Sequence, residues 1–225
     1  MRCSSISAIP RFDRLVLLLR HAERAAVTDL RSAAQVMLTE QGRADARSLG
    51  RLLGRRYGRA SLYHSPIPRC RQTAEALADG AIEARGGARV EGPLEWLGFE
   101  LTGGDPNWLN EQISAAGHEG FLRLWFDGRY PLDAIAPIAR AASFQMRHIL
   151  RQLEDSPSPV TVDVTHDWNL MLLREHYLGL RHEDVGVTPY LDSIALLRRD
   201  GVTTAWSQGR SVRLDGNGGG GTRAA

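Results

Sequence analysis

Two strand-length stretches stand out in the pattern of hydrophobic and polar positions. Residues 15–19 form an unbroken aliphatic run, and His21 follows shortly after its end. Residues 160–165 form a second run, rich in β-branched residues, with His166 directly behind it. An uninterrupted apolar run such as the first is typical of a strand that is buried in a parallel sheet, and a run rich in β-branched residues such as the second is typical of a strand. The pattern therefore predicts two buried strands, each with a histidine at its carboxyl end.

Amphipathic helices alternate with the predicted strands. Thr39 is a good N-cap for a helix that runs to about Tyr57, and Gly58 is expected to stop it. Further strands are predicted at residues 60–64, 193–198 and 202–206, and further helices at residues 133–154 and 168–178. Strands that alternate with helices predict an α/β fold, a three-layer α/β/α sandwich with a mostly parallel central sheet.

The chain is expected to form one domain with short appendages. Residues 1–14 are predicted to be a disordered lead-in, residues 15–214 the domain, and residues 215–225 a flexible glycine-rich tail. The segment 80–131 is irregular and rich in aromatic residues. We interpret it as an insertion, partly helical around residues 107–127, that covers the strand ends.

Composition narrows the class of protein without identifying a function. All 28 basic residues are arginine, and the net charge is only +2, so arginine abundance by itself does not indicate a nucleic-acid partner. No stretch approaches the roughly 20 apolar residues of a membrane span. The two cysteines, Cys3 and Cys70, suggest no disulfide framework, and no secretory signal is evident. A cytoplasmic location is therefore expected, with no membrane partner.

Positively charged side chains gather where the sheet should end. Arg20 and His21 follow the first strand, and Arg69 falls in the first turn of a helix that follows the strand at residues 60–64. Ligands bind at the carboxyl edge of open α/β sheets, and helix N-termini attract anions. Such a group suits a phosphoryl dianion, although a solvated loop is the alternative interpretation.

Four motifs, in this order, resemble those of the histidine phosphatase superfamily, the phosphoglycerate mutase and acid phosphatase group. Residues 20–24 (RHAER) are similar to its R-H-G-x-R signature, with Ala22 in place of glycine. Residues 38–42 (LTEQG), 65–74 (SPIPRCRQTA) and 165–167 (THD) correspond to L-T-x-x-G, S-P-x-x-R-x-x-Q-T-A and the second histidine. The resemblance covers most of the chain and implies a phosphoglycerate mutase-like fold.

The resemblance also implies roles for individual residues. His21 would be the nucleophile and would carry the phosphoryl group as a phosphohistidine. Arg20, Arg24 and Arg69 would bind the phosphoryl oxygens, with His166 beside them. No metal or cofactor is implied, because the arginines would supply the positive charge that magnesium supplies in other phosphoryl transfers.

Two carboxylates compete for the role of proton donor to the leaving group. Asp167 follows the second histidine, as in the acid-phosphatase branch, and its alternative use is as a helix N-cap. Glu95 lies in a context close to the L-x-E of the mutase-like branch, but one residue short, and its alternative is an exposed loop carboxylate. We favour Asp167, because glycine commonly follows the second histidine in the mutase-like branch, whereas aspartate follows it in this sequence.

The sequence therefore predicts a metal-independent phosphatase that hydrolyses a small phosphomonoester through a phosphohistidine at His21. The expected partner is a small phosphorylated metabolite, and Trp96, Trp108 and Trp125 could stack on a sugar ring. A phosphoglycerate mutase-like phosphotransferase and a catalytically silent phospho-ligand-binding module are the alternatives. Nucleic acid is not expected as a partner, and the sequence leaves a homodimer open.

Overall fold

A computed structural model describes residue 6 and residues 8–27, 30–98 and 106–214. The strands are β1 (Arg14–Arg20), β2 (Arg59–His64), β3 (Gly87–Pro93), β4 (Val160–Thr165), β5 (Ser193–Arg199), β6 (Val202–Ser207) and β7 (Arg210–Leu214). The helices are α1 (Glu40–Tyr57), α2 (Pro68–Glu83), α3 (Pro106–Phe126), α4 (Ile138–Asp155), α5 (Asp167–Leu178) and α6 (His182–Val185), with 3₁₀ turns at Leu30–Gln35 and Glu95–Leu97.

The strands form one seven-stranded sheet in the order β3-β2-β4-β1-β5-β6-β7. The four strands from β3 to β1 run parallel, whereas β5, β6 and β7 join antiparallel. The predicted three-layer sandwich with a parallel central sheet is confirmed. Because β1 lies between β4 and β5 at the change of direction, its carboxyl end is central in the sheet edge.

Side chains of β1 alternate between two hydrophobic cores. Leu17 packs on one face with Leu49 of α1, and Val16 packs on the other face with Ile149 of α4. A strand that is buried on both faces needs apolar residues at every position. This requirement explains the unbroken aliphatic run at residues 15–19.

Helix α1 begins and ends where the sequence predicts. The Thr39 hydroxyl accepts a hydrogen bond from the Gly42 amide at 2.9 Å, and Gly58 ends the helix with a φ of 72°. A Cβ atom on Gly42 would lie 2.2 Å from the carbonyl oxygen of Glu23. Glycine at this position therefore lets α1 approach the loop that follows His21.

Helix α4 begins later than predicted. Pro137 is extended and caps a helix that starts at Ile138, so the helix does not extend over residues 133–137. Proline lacks an amide hydrogen and disfavours helical geometry in the residue before it, which explains the shorter helix.

Two strands were not predicted. Strand β3 lies inside the segment 80–131 and pairs in parallel with β2, so the sheet continues into this segment before α3 begins. Strand β7 pairs with β6 at the opposite edge. Both are half-exposed and contain glycine or charged residues, so neither has the apolar run that identifies a buried strand.

The described part of the predicted lead-in is packed rather than disordered. Ile9 is buried in the core that contains Leu17, and the Arg56 side chain donates to its carbonyl oxygen at 3.1 Å. Apolar residues spaced along this segment explain the packing. The predicted tail at residues 215–225 lies outside the described residues, and no helix in the described ranges is long and apolar enough to cross a membrane.

Candidate active site

The carboxyl ends of three neighbouring strands bring the predicted site residues together. Strands β2, β4 and β1 are adjacent and parallel, and each is followed directly by a residue with polar chemistry. His21 follows β1, His166 follows β4 and Ser65 follows β2, and all three side chains are buried. The centroids of the two imidazole rings are 5.5 Å apart. The strand order therefore assembles this group from distant parts of the chain.

The His21 ring is held in one tautomer. Its Nδ1 atom lies 2.7 Å from the carbonyl oxygen of Ala22, which can only accept, so Nδ1 carries the hydrogen. Burial lowers the pKa of His21 to about 3, and the charges of Arg69 and Arg20 also oppose protonation. The ring is therefore neutral near pH 7, with an unprotonated Nε2 available as a nucleophile.

Arg69 spans both imidazoles with one guanidinium group. Its Nε atom donates to His21 Nε2 at 3.1 Å, and its Nη2 atom donates to His166 Nδ1 at 3.2 Å. The remaining Nη1 atom donates to the carbonyl oxygen of Ala33 at 2.9 Å. Three bonds thus hold the planar guanidinium in one orientation between the two rings.

His166 has the opposite tautomer from His21. Its Nδ1 atom accepts from Arg69, so Nε2 carries the hydrogen and donates to the Ser65 hydroxyl at 3.0 Å. Burial is the main reason that the pKa of His166 lies well below its usual value, and the charges of Arg69 and other nearby groups add to this effect. Each imidazole therefore keeps one hydrogen-free nitrogen, and each of these nitrogens accepts a hydrogen bond from Arg69.

Arg20 and Asp167 form an ion pair at the mouth of the site. The Arg20 Nη2 atom lies 2.8 Å from Asp167 Oδ2, and another Arg20 nitrogen donates to the carbonyl oxygen of Thr188. The guanidinium carbon lies 4.3 Å from the centre of the Tyr190 ring. Asp167 also accepts from the Trp168 amide at 3.0 Å, but it is the first residue of α5, and His166 occupies the N-cap position that the sequence suggested as the alternative role of Asp167.

The remaining two predicted site residues, Arg24 and Glu95, differ from each other in their relation to the site. Arg24 is half-buried and donates to the carbonyl oxygen of Ala25 at 3.0 Å, and its charge is among those that disfavour protonation of the buried His166. Glu95 is exposed in a 3₁₀ turn, and within the described ranges it forms no hydrogen bond or ion pair with the site. The structure thus brings together Arg20, His21, Arg69, His166 and Asp167, but not Glu95.

Three further residues at the site were not predicted as functional. Ser65 binds His166, Tyr190 packs its ring 5.7 Å from that of His21, and His118 of α3 accepts a hydrogen bond from Trp168. Ser65 lies in a recognised motif, so its position was available in the sequence. Tyr190 and His118 lie in segments without a motif, and only the folded chain places them here.

The tryptophans expected to stack on a sugar ring serve mainly other purposes. Trp96 and Trp125 belong to the core between α3 and α4, where Trp96 stacks on His148 and Trp125 donates to the carbonyl oxygen of Ala136. Tyr190, with 37% of its surface exposed, is the aromatic side chain that borders Arg20 and His21. Aromatic residues in a segment that covers a site can form a small core of their own, and two of the three tryptophans belong to such a core here.

The buried thiol beside the site is not a competing nucleophile. Cys70 is fully buried, and its sulfur donates to the carbonyl oxygen of Thr165 at 3.6 Å. Burial raises the pKa of this thiol to about 12. Because only a thiolate is strongly nucleophilic, this thiol is unreactive near pH 7.

Comparison with known proteins agrees with this arrangement. Residues 16–87 match the sequence model of the histidine phosphatase superfamily, branch 1. The chain has the histidine phosphatase fold. The family model agrees with the resemblance noted in the sequence over those residues, and similar solved structures confirm the phosphoglycerate mutase-like fold, whereas no curated protein sequence matches the chain.

Three solved structures illustrate how closely the histidine phosphatase fold is shared. YhfR of Bacillus stearothermophilus has a TM-score of 0.58 at 19% identity, covering 87% of this chain and 96% of that one. A phosphoglycerate mutase of Bacillus anthracis has a TM-score of 0.55 at 15% identity, covering 89% and 91%. A mycobacterial glucosyl-3-phosphoglycerate phosphatase has a TM-score of 0.55 at 20% identity, covering 81% and 89%.

Proposed function

We propose that this protein is a metal-independent phosphatase that hydrolyses a small phosphomonoester through a phosphohistidine at His21. One observation carries the proposal. The Nε2 atom of a neutral, buried His21 carries no hydrogen and lies 3.1 Å from an Arg69 nitrogen that can bind the group under attack. A nucleophile and its charge-stabilising partner in contact are what phosphoryl transfer requires.

In the first step, His21 Nε2 attacks the phosphorus atom and the ester P–O bond breaks. Arg69 would release its hydrogen bond to Nε2 and bind the non-bridging oxygens, together with Arg20 and His166. The bound phosphoryl group would draw Arg20 out of its ion pair with Asp167, and the released carboxylate would pass a proton from solvent to the oxygen of the leaving alcohol. The products are the free alcohol, the Asp167 carboxylate and a phosphoryl group on His21.

In the second step, water attacks the phosphohistidine. Asp167 takes a proton from this water as the new P–O bond forms, and the P–N bond breaks. Inorganic phosphate leaves, and His21 regains its unprotonated Nε2. The Asp167 carboxyl group therefore acts as a general acid in the first step and as a general base in the second.

Asp167 is a better candidate than Glu95 for this proton transfer. Asp167 is paired with Arg20 at 2.8 Å, and Arg20 is the last residue of β1, directly before His21. Glu95 is exposed, and no contact within the described ranges directs it toward either histidine. The isosteric variant Asp167→Asn keeps the shape of the side chain and removes the proton.

Phosphate release is the direct test of the proposed activity. We expect turnover of an aryl phosphate, and of at least one compound in a panel of sugar phosphates, phosphoglycerates and nucleoside monophosphates, in the presence of a chelator. His21→Ala should abolish it. Asp167→Asn should slow substrates with alcohol leaving groups more than the aryl phosphate, because a phenolate leaves with less need of a proton.

His64→Ala is a matched control for this test. His64 is buried to a similar degree, and its Nδ1 atom also lies next to a neighbouring carbonyl oxygen, at 2.8 Å from Ser65. It should retain turnover within a few fold. Phosphate binding without release of phosphate from any monoester would reject hydrolysis and would favour the silent binding module. Transfer of the phosphoryl group between two positions of a phosphoglycerate would favour the mutase.

A further inference from the structure

A group of side chains of the types that bind metal ions lies on helices α5 and α6, apart from the site around His21. Glu175 of α5 and His182 and Glu183 of α6 each contribute one ligand atom, and these atoms all lie within 4.8 Å of one another. None of the three residues belongs to the site around His21. The proposed phosphatase activity makes no use of them, so what they bind is a separate question.

Two polar atoms in this group are buried without a hydrogen bond. The His182 side chain is 2% exposed, and its Nδ1 atom has no hydrogen-bond partner among the described residues. The nearest acidic atom is Glu183 Oε2 at 3.5 Å. Glu175 Oε2 is likewise buried and unbonded within the described chain. Buried polar atoms are nearly always satisfied, so two in one group indicate that a partner is missing.

Arg123 of α3 holds the opposite edges of the two carboxylates. It pairs with Glu175 Oε1 and lies 3.3 Å from Glu183 Oε1. These contacts leave the Oε2 atoms free, and one of them faces His182 Nδ1. In protein metal sites, a neighbouring side chain commonly binds the carboxylate oxygen that does not contact the metal, and this bond orients the ligand.

We propose that Glu175, His182 and Glu183 bind a divalent transition metal of the zinc class. One imidazole nitrogen and two carboxylate oxygens form a donor set that Zn²⁺ accepts, with water completing four-fold coordination. Zinc–ligand bonds of about 2.0–2.2 Å place ligand atoms roughly 3.3 Å apart, so the group would have to contract slightly on binding. The metal would join α5 to α6 and, through Arg123, to the covering helix α3.

The charges nearby allow a cation. Glu175, Glu183 and Asp127 face Arg123, and Arg181 lies 3.6 Å from Glu183. Three carboxylates against two guanidinium groups leave one negative charge in excess. Either a metal ion or a proton on His182 can offset it, and the experiment has to separate these two outcomes.

Isothermal titration calorimetry of the full chain with ZnCl₂ at pH 7.5, after treatment with a chelator and its removal, tests the proposal. We expect one equivalent to bind and the melting temperature to rise. His182→Ala and the isosteric Glu175→Gln should each weaken that binding by at least about tenfold. His176→Ala, on the same helix but outside the group, should leave it unchanged. Mg²⁺ should not replace Zn²⁺, because an imidazole ligand suits zinc.

Three results would overturn the proposal. Absence of zinc binding to the wild type would mean that the group is an ion-pair network closed by a proton. Equal affinity in Glu175→Gln and the wild type would place the metal elsewhere, for example on the histidines of the active site. Equal affinity for Mg²⁺ would reject the zinc class. Phosphate release at the His21 site is measured separately, so either hypothesis can fail alone.

Discussion

The units β1–His21 and β4–His166 are two copies of one local design with different chemistry. In both, a buried parallel strand ends in a buried histidine, and the strands pair directly, with Arg20 opposite Thr165. One imidazole bonds a carbonyl oxygen through Nδ1 and has Nε2 free of hydrogen, whereas the other donates through Nε2 to a serine. The two rings therefore hold opposite tautomers at equivalent places in the fold, because their hydrogen-bond partners differ.

The two strands also differ in the number of polar residues that they contain. Strand β1 is apolar between its terminal arginines, whereas β4 carries two threonines and Asp163 although all its residues are buried. Asp163 lies opposite Leu18 in the register, and Gln152 donates to its Oδ1 atom at 3.0 Å. Thr165 donates to the carbonyl oxygen of Leu97. The polar positions of β4 therefore fasten the surrounding loops and helices to the sheet.

The largest expected effect comes from replacing each of the two histidines by alanine in turn. His21→Ala should lower kcat by roughly 10⁴-fold or more, because the nucleophile is lost. His166→Ala should lower it by roughly 10²–10³-fold, because only a charge-stabilising donor is lost. Protein denatured in alkaline detergent after reaction with ³²P-labelled substrate should retain label in His166→Ala and lose it in His21→Ala, because a phosphohistidine is stable in alkali and hydrolysed in acid. The reverse distribution of label would reverse the assignment of nucleophile.

A smaller effect, on stability, should follow from the carboxyl that distinguishes β4. Burial raises the pKa of Asp163 from 3.8 to about 7, against the opposing effect of the Gln152 hydrogen bond. The folded protein therefore keeps a proton that the unfolded chain releases, and stability is lost as pH rises from 3.8 through about 7. Asp163→Asn should remove this loss, so its advantage over wild type should grow to the order of a few kcal/mol between pH 5 and pH 8.

Denaturant unfolding of both proteins at the two pH values measures this difference. The slope of unfolding free energy with pH is the informative quantity, because the cost of the substitution itself is common to both conditions. His21 and His166 titrate equally in wild type and variant and cancel in the comparison. Parallel pH profiles for wild type and Asp163→Asn would show that the carboxyl is ionised in the folded protein.

The smallest effect should come from the hydroxyl that sets the tautomer of His166. Ser65→Ala removes an acceptor for His166 Nε2 at 3.0 Å, and a buried hydrogen bond of this kind contributes about 1 kcal/mol. We expect kcat to fall by roughly tenfold or less. Ser61→Ala is the control, because Ser61 is also buried on the β2 segment but bonds Glu91 and Ser158 instead. An effect of Ser65→Ala as large as that of His21→Ala would contradict the assigned roles.

Most of the fold and the central part of the site were predictable from local sequence. The apolar run at 15–19, the Thr39 cap and the Gly58 stop act over a few residues, so pattern and propensity suffice to identify them. The motifs around His21, Arg69 and His166 were equally visible. By contrast, β3 and β7 lie at the two edges of the sheet, and they are strands because of the neighbours they pair with and not because of their composition.

Only the tertiary structure decided how these residues work. Nothing in the chain near His21 shows that Ala22 fixes its tautomer or that Arg69, 48 residues away, bonds its other nitrogen. The same holds for Glu95, which a motif suggested and the fold leaves exposed. Sequence determined which groups are present at each strand end, because that is a local property. Hydrogen-bond partners, burial and the resulting pKa values arise from packing between distant segments, and they become defined only when the sheet assembles.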